Sequence, residues 1–164
     1  MAERDIFLLG NPRLWLVSEP VREFGSSALR ELITDLDDTL SGFRRVHGFG
    51  RGIAAPQIDV LKRVLFIRME PPGFHGPLIN PSIAWQSDET TEIWDNCFSF
   101  PSLSVQVRRF NQIRVNYQDA SGVSQVLDAS GDLSELLQHE IDHLEGILAT
   151  DRALSPRAFR MRRE

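Results

Sequence analysis

His139-Glu140-Ile141-Asp142-His143 is an HExxH sequence, and its residue types and spacing suit metal-assisted hydrolysis. Histidines four positions apart lie one turn apart on one face of a helix, so both imidazoles can hold a single ion. A carboxylate between them can reach a water activated by that ion and act as general base. The surrounding stretch, Leu133 to Leu148, has a helical period. At about 100° per residue, Leu133, Leu136, Leu137, Ile141, Leu144, Ile147 and Leu148 share one arc, the expected core face. Gln138, Asp142 and Glu145 fall opposite and are expected in solvent. His139 and His143 sit at one edge of the apolar arc. Glu140 sits inside it, where a carboxylate is costly unless it is paired or beside a metal. Ser130 or Asp132 is placed to cap the helix and Gly146 to loosen its last turn. The plain alternative is a solvated helix that happens to carry two histidines, and a third ligand elsewhere decides between the two. The single cysteine, Cys97, is a candidate ligand or nucleophile, although a free cysteine is more commonly a buried bystander.

The rest of the chain must position these groups. Its 164 residues predict one domain, residues 1–164, with a core of its own. An apolar content of 41% with 25% charged residues reads as soluble and globular. No apolar run approaches the ~20 residues of a membrane span, and the acidic, briefly apolar start does not read as a signal peptide. A cytoplasmic location is expected. A net charge of −5 argues against DNA or bulk nucleic-acid binding, and one cysteine excludes an internal disulfide.

Residues 1–24 carry the turn signals Asn11-Pro12 and Glu19-Pro20 and read as an arm wrapping the domain. Ser26 to Phe43 reads as a helix, with Leu29, Leu32, Ile33, Leu36 and Leu40 on one face and Ser26 or Ser27 as cap. Gly48 to Gln57 is glycine-rich, then Ala-Ala-Pro-Gln. A phosphate loop is a weak reading because no Lys-Ser/Thr follows, and a tight loop into a strand fits better. Strands are expected at Val64–Arg68, Leu78–Trp85, Thr90–Trp94, Val105–Arg108 and Ile113–Tyr117, with a hairpin turn at Asp119–Gly122 leading to Val123–Leu127. Trp94 to Pro101, around the cysteine, reads as short and irregular. Antiparallel strands with one long helix in the core give an α+β class. The arginine-rich tail from Arg152 reads as a solvated, frayed end, with a weak ribosome contact as the alternative.

Three stretches, taken together, resemble the peptide deformylases. That family carries a GxGxAAPQ loop, an EGCLS segment and QHExDHLxG on a helix, in this order. Here they stand as Gly50–Gln57 (GRGIAAPQ), Asp95–Ser99 (DNCFS) and Gln138–Gly146 (QHEIDHLEG). The resemblance covers Leu9 to Asp151 and implies antiparallel strands packed around a central metal-binding HExxH helix. It also implies a metal-dependent amide hydrolase acting on an N-formylated peptide or small formyl amide. By position, Cys97, His139 and His143 match the three ligands of one divalent ion, ferrous iron favoured and zinc or nickel accepted. Glu140 matches the general base and proton shuttle. Gln57 and the backbone N–H of Phe98 match the donors to the developing oxyanion. Gly50 and Gly52 belong to the loop along the substrate, Gly52 matching the glycine that lets its backbone pass.

The departures carry information of their own. Asp95-Asn96 stands where the family has Glu-Gly. The shorter acid is expected to pair with Arg108 or Arg109, and Asn96 to tolerate a left-handed backbone. Gly42–Gly48 reads as an insertion in a connection, with His47 a surface loop residue. The family lines its methionine pocket partly with three positions that are here Arg51, Asp132 and Glu135. All three are charged, Arg51 able to pair with either acid, so formyl-methionine is not the expected best substrate. Two rival classes remain: a non-catalytic relative that keeps its metal as a staple, and an HExxH zinc peptidase with a different third ligand.

Overall fold

The computed structural model describes residues 2–163. Helix α1, Ser27–His47, starts where the Ser26 hydroxyl accepts the Leu29 N–H and stops at Gly48, which has φ 75°. The expected insertion at Gly42–Gly48 is therefore the last turns of this helix. A lone glycine costs only about 1 kcal/mol inside a helix, and Gly48 is the first residue after Ser26 to offer a left-handed stop. The missing side chain of Gly42 leaves room for the Glu3 carboxylate. His47 is helical and stacks on Phe43 at 4.2 Å between ring centroids.

Among the described residues eight strands follow: β1 (Gly52–Ala54), β2 (Val64–Arg68), β3 (His75–Gln86), β4 (Thr90–Cys97), β5 (Phe100–Phe110), β6 (Gln112–Gln118), β7 (Ser124–Ser130) and β8 (Phe159–Met161). They form one antiparallel sheet in the order β1-β2-β3-β6-β7 and a second in the order β4-β5-β8. Helix α2, Gly131–Leu144, touches strands of both sheets. The α+β arrangement of antiparallel strands around the HExxH helix is thus as expected. Leu133, Leu137, Ile141 and Leu144 pack into a cluster with Leu65, Ile67, Leu78, Ile113 and Val115. Leu36, Leu40 and Phe43 of α1 join Ile53, Phe66, Ile79 and Phe98.

Several expectations need correction. Gln138 and Asp142 are buried, because β5 and two arginines cover the face expected in solvent. The Gln138 amide bonds both Phe110 backbone groups, and Asp142 accepts from Arg109 and Arg152. Helix α2 ends at Leu144 because Gly146, at φ 70°, turns the chain under the Trp15 carbonyl. Ser130 precedes α2 but makes no side-chain cap. The stretch around Cys97 is regular: β4 runs through the cysteine, Phe98-Ser99 forms the turn, and Cys97 opposes Phe100 after a register shift at Asn96. The tail is not frayed. Arg152 binds Asp142, β8 pairs with β5, Arg160 lies over the Trp94 ring and Arg162 over the Phe49 ring. The N-terminal arm does wrap the domain, with Phe7 N–H donating to Gln57 O and Leu9 N–H to Ser99 O, both at 2.8 Å.

Candidate active site

The end of β4 and the second half of α2 bring Cys97, His139 and His143 together. One ligand atom of each lies within 4.8 Å of the others, and all three residues are buried. Cys97 Sγ is 3.4 Å from His143 Nε2 and accepts the Ser99 N–H at 3.4 Å. His139 Nδ1 meets Asp95 Oδ2 at 2.9 Å, so its Nε2 is the nitrogen left for an ion. Asp95 is in turn held by Arg109 Nη2 at 3.0 Å, and Arg109 Nη1 reaches Asp142 at 2.8 Å. Arg152 closes this chain of charges onto Asp142 at 2.6 Å. The partner of Asp95 is therefore Arg109, while Arg108 pairs with Glu92 on the surface.

The electrostatics follow from this packing. Burial would raise the Asp95 carboxyl, but His139 and Arg109 hold it down at about 2. Burial would lower His139, yet Asp95 and Cys97 keep it well above its ordinary value. His143 is pushed well below its ordinary value, first by burial and then by the His139 charge. Burial lifts Glu140 to about 7, and a cation beside it would draw it back down. Glu140 Oε2 and His143 Nδ1 are buried without a hydrogen-bond partner. A thiolate and two imidazoles converging in a buried pocket, beside an unsatisfied carboxylate oxygen, fit one divalent ion with an open coordination position.

Cys97, His139 and Glu140 open onto a cavity of about 220 Å³ that Gly50, Arg51, Gly52, Phe98 and Glu135 also line. A larger cavity of about 780 Å³ lies at the start of α1 and contains none of these residues. Chemistry, not size, makes the smaller one the candidate site. Gln57 is buried behind the cysteine. Its Oε1 accepts the Ala54 N–H, and its Nε2 lies 3.1 Å from Ser99 Oγ and 3.6 Å from Cys97 Sγ. Gly52 does lie close to the reacting groups, but the space beside it is filled from the protein's own side. A Cβ there would stand 2.9 Å from Glu140 Oε1 and 3.0 Å from an Ile67 methyl. Gly50, at φ 110°, would drive a Cβ into the Phe98 ring.

Asn96 is not left-handed. It sits in the extended β4 strand and accepts the Ser104 hydroxyl at 2.6 Å. Asp132 does not line the cavity. It lies at the rim, its side chain 76% exposed, with Arg51 Nη1 at 3.4 Å. Sequence reasoning missed Ser99, which shares the Gln57 amide, and the Asp142–Arg152 end of the charge chain. The spacing of Asp142 from the histidines carried that second signal only if its face was known to be covered.

The family model for polypeptide deformylase matches residues 3–158. A peptide deformylase of Brachyspira hyodysenteriae is 39% identical, over 98% of this chain and 86% of that one. The chain belongs to the peptide deformylase family. A solved peptide deformylase from Legionella pneumophila superposes with a TM-score of 0.86 at 35% identity, covering 94% of this chain and 88% of that one. An actinonin-bound peptide deformylase from Acinetobacter baumannii gives 0.84 at 29% identity, covering 93% and 99%. The protein is thus a deformylase-type metallohydrolase acting on linear amides, and Cys97, His139 and His143 are the cluster that can hold its divalent metal.

Proposed function

We propose that this protein removes the formyl group from N-formyl peptides, with Cys97, His139 and His143 as metal ligands. The observation that carries the reading is their convergence beside the unpartnered Glu140 oxygen, in one cavity with the Gly50–Gly52 loop. An ion held there supplies Lewis-acid polarisation of the formyl oxygen and lowers the pKa of water beside it. Ferrous iron is the favoured ion, and the same donors suit zinc or nickel. Glu140 takes the proton of the attacking water and returns it to the departing amine nitrogen as the formyl C–N bond breaks, leaving formate and a free amine. Burial raises Glu140 and a cation beside it would lower it again, which leaves a carboxylate able to take the water proton and then give it up. Gln57 Nε2, already directed at the cysteine side of the site, and the Phe98 N–H donate to the oxygen that gains charge. Asp95 holds His139 Nδ1, which would leave Nε2 free to bind the ion.

The Asp-for-Glu change thus keeps an orienting contact, which weighs against a metal-stapled relative without activity. The place of Cys97 in the cluster weighs against a peptidase with another third ligand. Arg51 and Glu135 on the cavity and Asp132 at its rim make a poor host for a thioether, so formyl-methionine is not the preferred substrate. A cytoplasmic setting suits N-formylated substrates and ferrous iron. A ribosome contact gains no support from the tail, since Arg152, Arg160 and Arg162 are engaged within the chain. The test is formate release by anaerobically prepared, iron-loaded protein from formyl peptides beginning with Met, Lys, Asp or Ser. Release should fall by at least ~100-fold in Glu140→Ala. Release that survives this change, or that is absent throughout with metal bound, overturns the reading.

A further inference from the structure

We infer that Glu135 selects formyl peptides whose first side chain carries a positive charge: lysine, ornithine or arginine. This rests on the deformylase reading and names the substrate class of the same site. Glu135 stands one turn before His139 on α2 and lines the cavity with Cys97, His139 and Glu140. Every other charge at that cavity has an assignment. Arg51 is turned toward Asp132 at the rim. Asp95 is spent on His139 and Arg109. Glu140 lies at the floor, in the reacting group. Glu135 makes neither a hydrogen bond nor an ion pair among the described residues. It is half-buried, and its pKa is raised, first by burial and then by Asp132 and Asp95, against the opposing pull of Arg51 and Arg109.

A half-buried carboxylate without a partner is an electrostatic cost that a cation removes. Among the described residues no cation forms an ion pair with Glu135: Arg51 and Arg109 act on it only at longer range, from their own pairs with Asp132 and Asp95, so a ligand in the cavity is placed to supply the direct contact. The cavity wall also suits the stem of a basic side chain. Ile93, Trp94 and Leu136 line it with apolar atoms, against which methylenes can lie while the charged head stays near Glu135. A methionine gains the same apolar contact but leaves Glu135 unpaired. An acidic first residue meets Glu135 and Asp132 with Arg51 already engaged.

The experiment uses the iron-loaded protein and formyl-Xaa-Ala-Ser peptides, with Xaa lysine, norleucine, Nε-acetyl-lysine, methionine and glutamate. Lysine should exceed norleucine in kcat/KM by about two- to fivefold, as for a half-exposed ion pair. Acetylation of the lysine should remove that advantage, and added salt should shrink it. In Glu135→Gln the lysine-to-norleucine ratio should collapse toward one. If that variant does not fold, the acetyl-lysine and salt arms on the unaltered protein still decide. Norleucine or methionine exceeding lysine overturns the inference while leaving the hydrolase intact, and so does a preference for glutamate. A separate readout is the affinity of the zinc-loaded protein for the deformylated peptides. Tighter binding of the lysyl than the norleucyl peptide supports cation selection even if no formate is released, a result that would sink the hydrolase alone. Equal binding overturns the selection.

Discussion

Asp95 shows how much of this site depends on a residue that would touch neither ion nor substrate. Its carboxylate fixes the His139 tautomer, and Arg109 fixes the carboxylate. Orienting partners of this kind are worth about 10- to 100-fold in metal affinity, so Asp95→Asn should weaken zinc binding by that factor in a competition with a chromophoric chelator. An unchanged affinity would show that the His139 ring is held by packing alone. Glu135 gives a prediction of opposite sign, on stability. A carboxyl whose folded pKa lies above its unfolded value binds protons more tightly when folded. It therefore costs nothing below the unfolded value, near 4.5, and weakens the fold as pH rises through the folded value. Glu135→Gln should accordingly melt slightly higher than the parent at neutral pH and identically at pH about 4, as followed by circular dichroism. A residue that costs stability and sits at the cavity is the pattern expected where function, not folding, holds the side chain in place. At this scale the convergence of the two histidines was legible, because HExxH states its own geometry once a helix is granted. Gly50 was not fully so. Its glycine answers both to a left-handed φ and to the Phe98 ring, which stacks on Phe43 at 3.7 Å and cannot give way. That contact joins residues far apart in the chain.

The elements were legible where period alone decides them and obscure where a partner does. β2 and the core face of α2 are apolar at the right spacing and lie where expected. The polar face of α2 was misread because a helical wheel reports which residues are apolar, and Gln138 and Asp142 are buried by arginines and a β5 carbonyl from elsewhere. The same blindness hid β8, whose three residues carry no strand signal and exist as a strand only because the β5 edge is there to pair with. Its effect is testable. Leu103, Ser104 and Val105 pair with Met161, Arg160 and Phe159, and Ala158 is only 3% exposed. Ending the chain after Pro156 removes those ladder bonds and two arginine–ring contacts, each worth about 0.5–1 kcal/mol. The total should be about 2 kcal/mol, or ~4–8 °C in Tm for a chain of this size. It should be read with Trp94 fluorescence, since Arg160 lies 4.0 Å over that ring. A truncated protein melting with the parent would mean that β8 merely rests on the sheet.

At the scale of the whole molecule the three proposed ligands divide the work of assembly. Cys97 ends β4, in the three-stranded sheet, whereas His139 and His143 belong to α2, whose apolar face packs on the five-stranded sheet. An ion on all three ties one sheet to the helix that seals the other. Without it, the site holds a carboxylate oxygen and an imidazole nitrogen that are buried and unsatisfied. Such groups weaken the stripped fold locally, at the β4–β5 turn and the middle of α2. Metal binding to the native state adds RT ln(1 + [M]/Kd), about 4 kcal/mol when the ion is present at a thousand times its Kd. Stripping the ion should therefore lower Tm by about 8–16 °C. Amide exchange should speed first around Cys97 to Phe100 and in the HExxH turn, while β2 and β6 stay protected. Cys97→Ala should abolish the metal-induced rise in Tm, because two imidazoles alone leave the β4 end untied. A Cys97→Ala protein that keeps the full rise would place the third ligand elsewhere and return the site to an ordinary HExxH peptidase pattern.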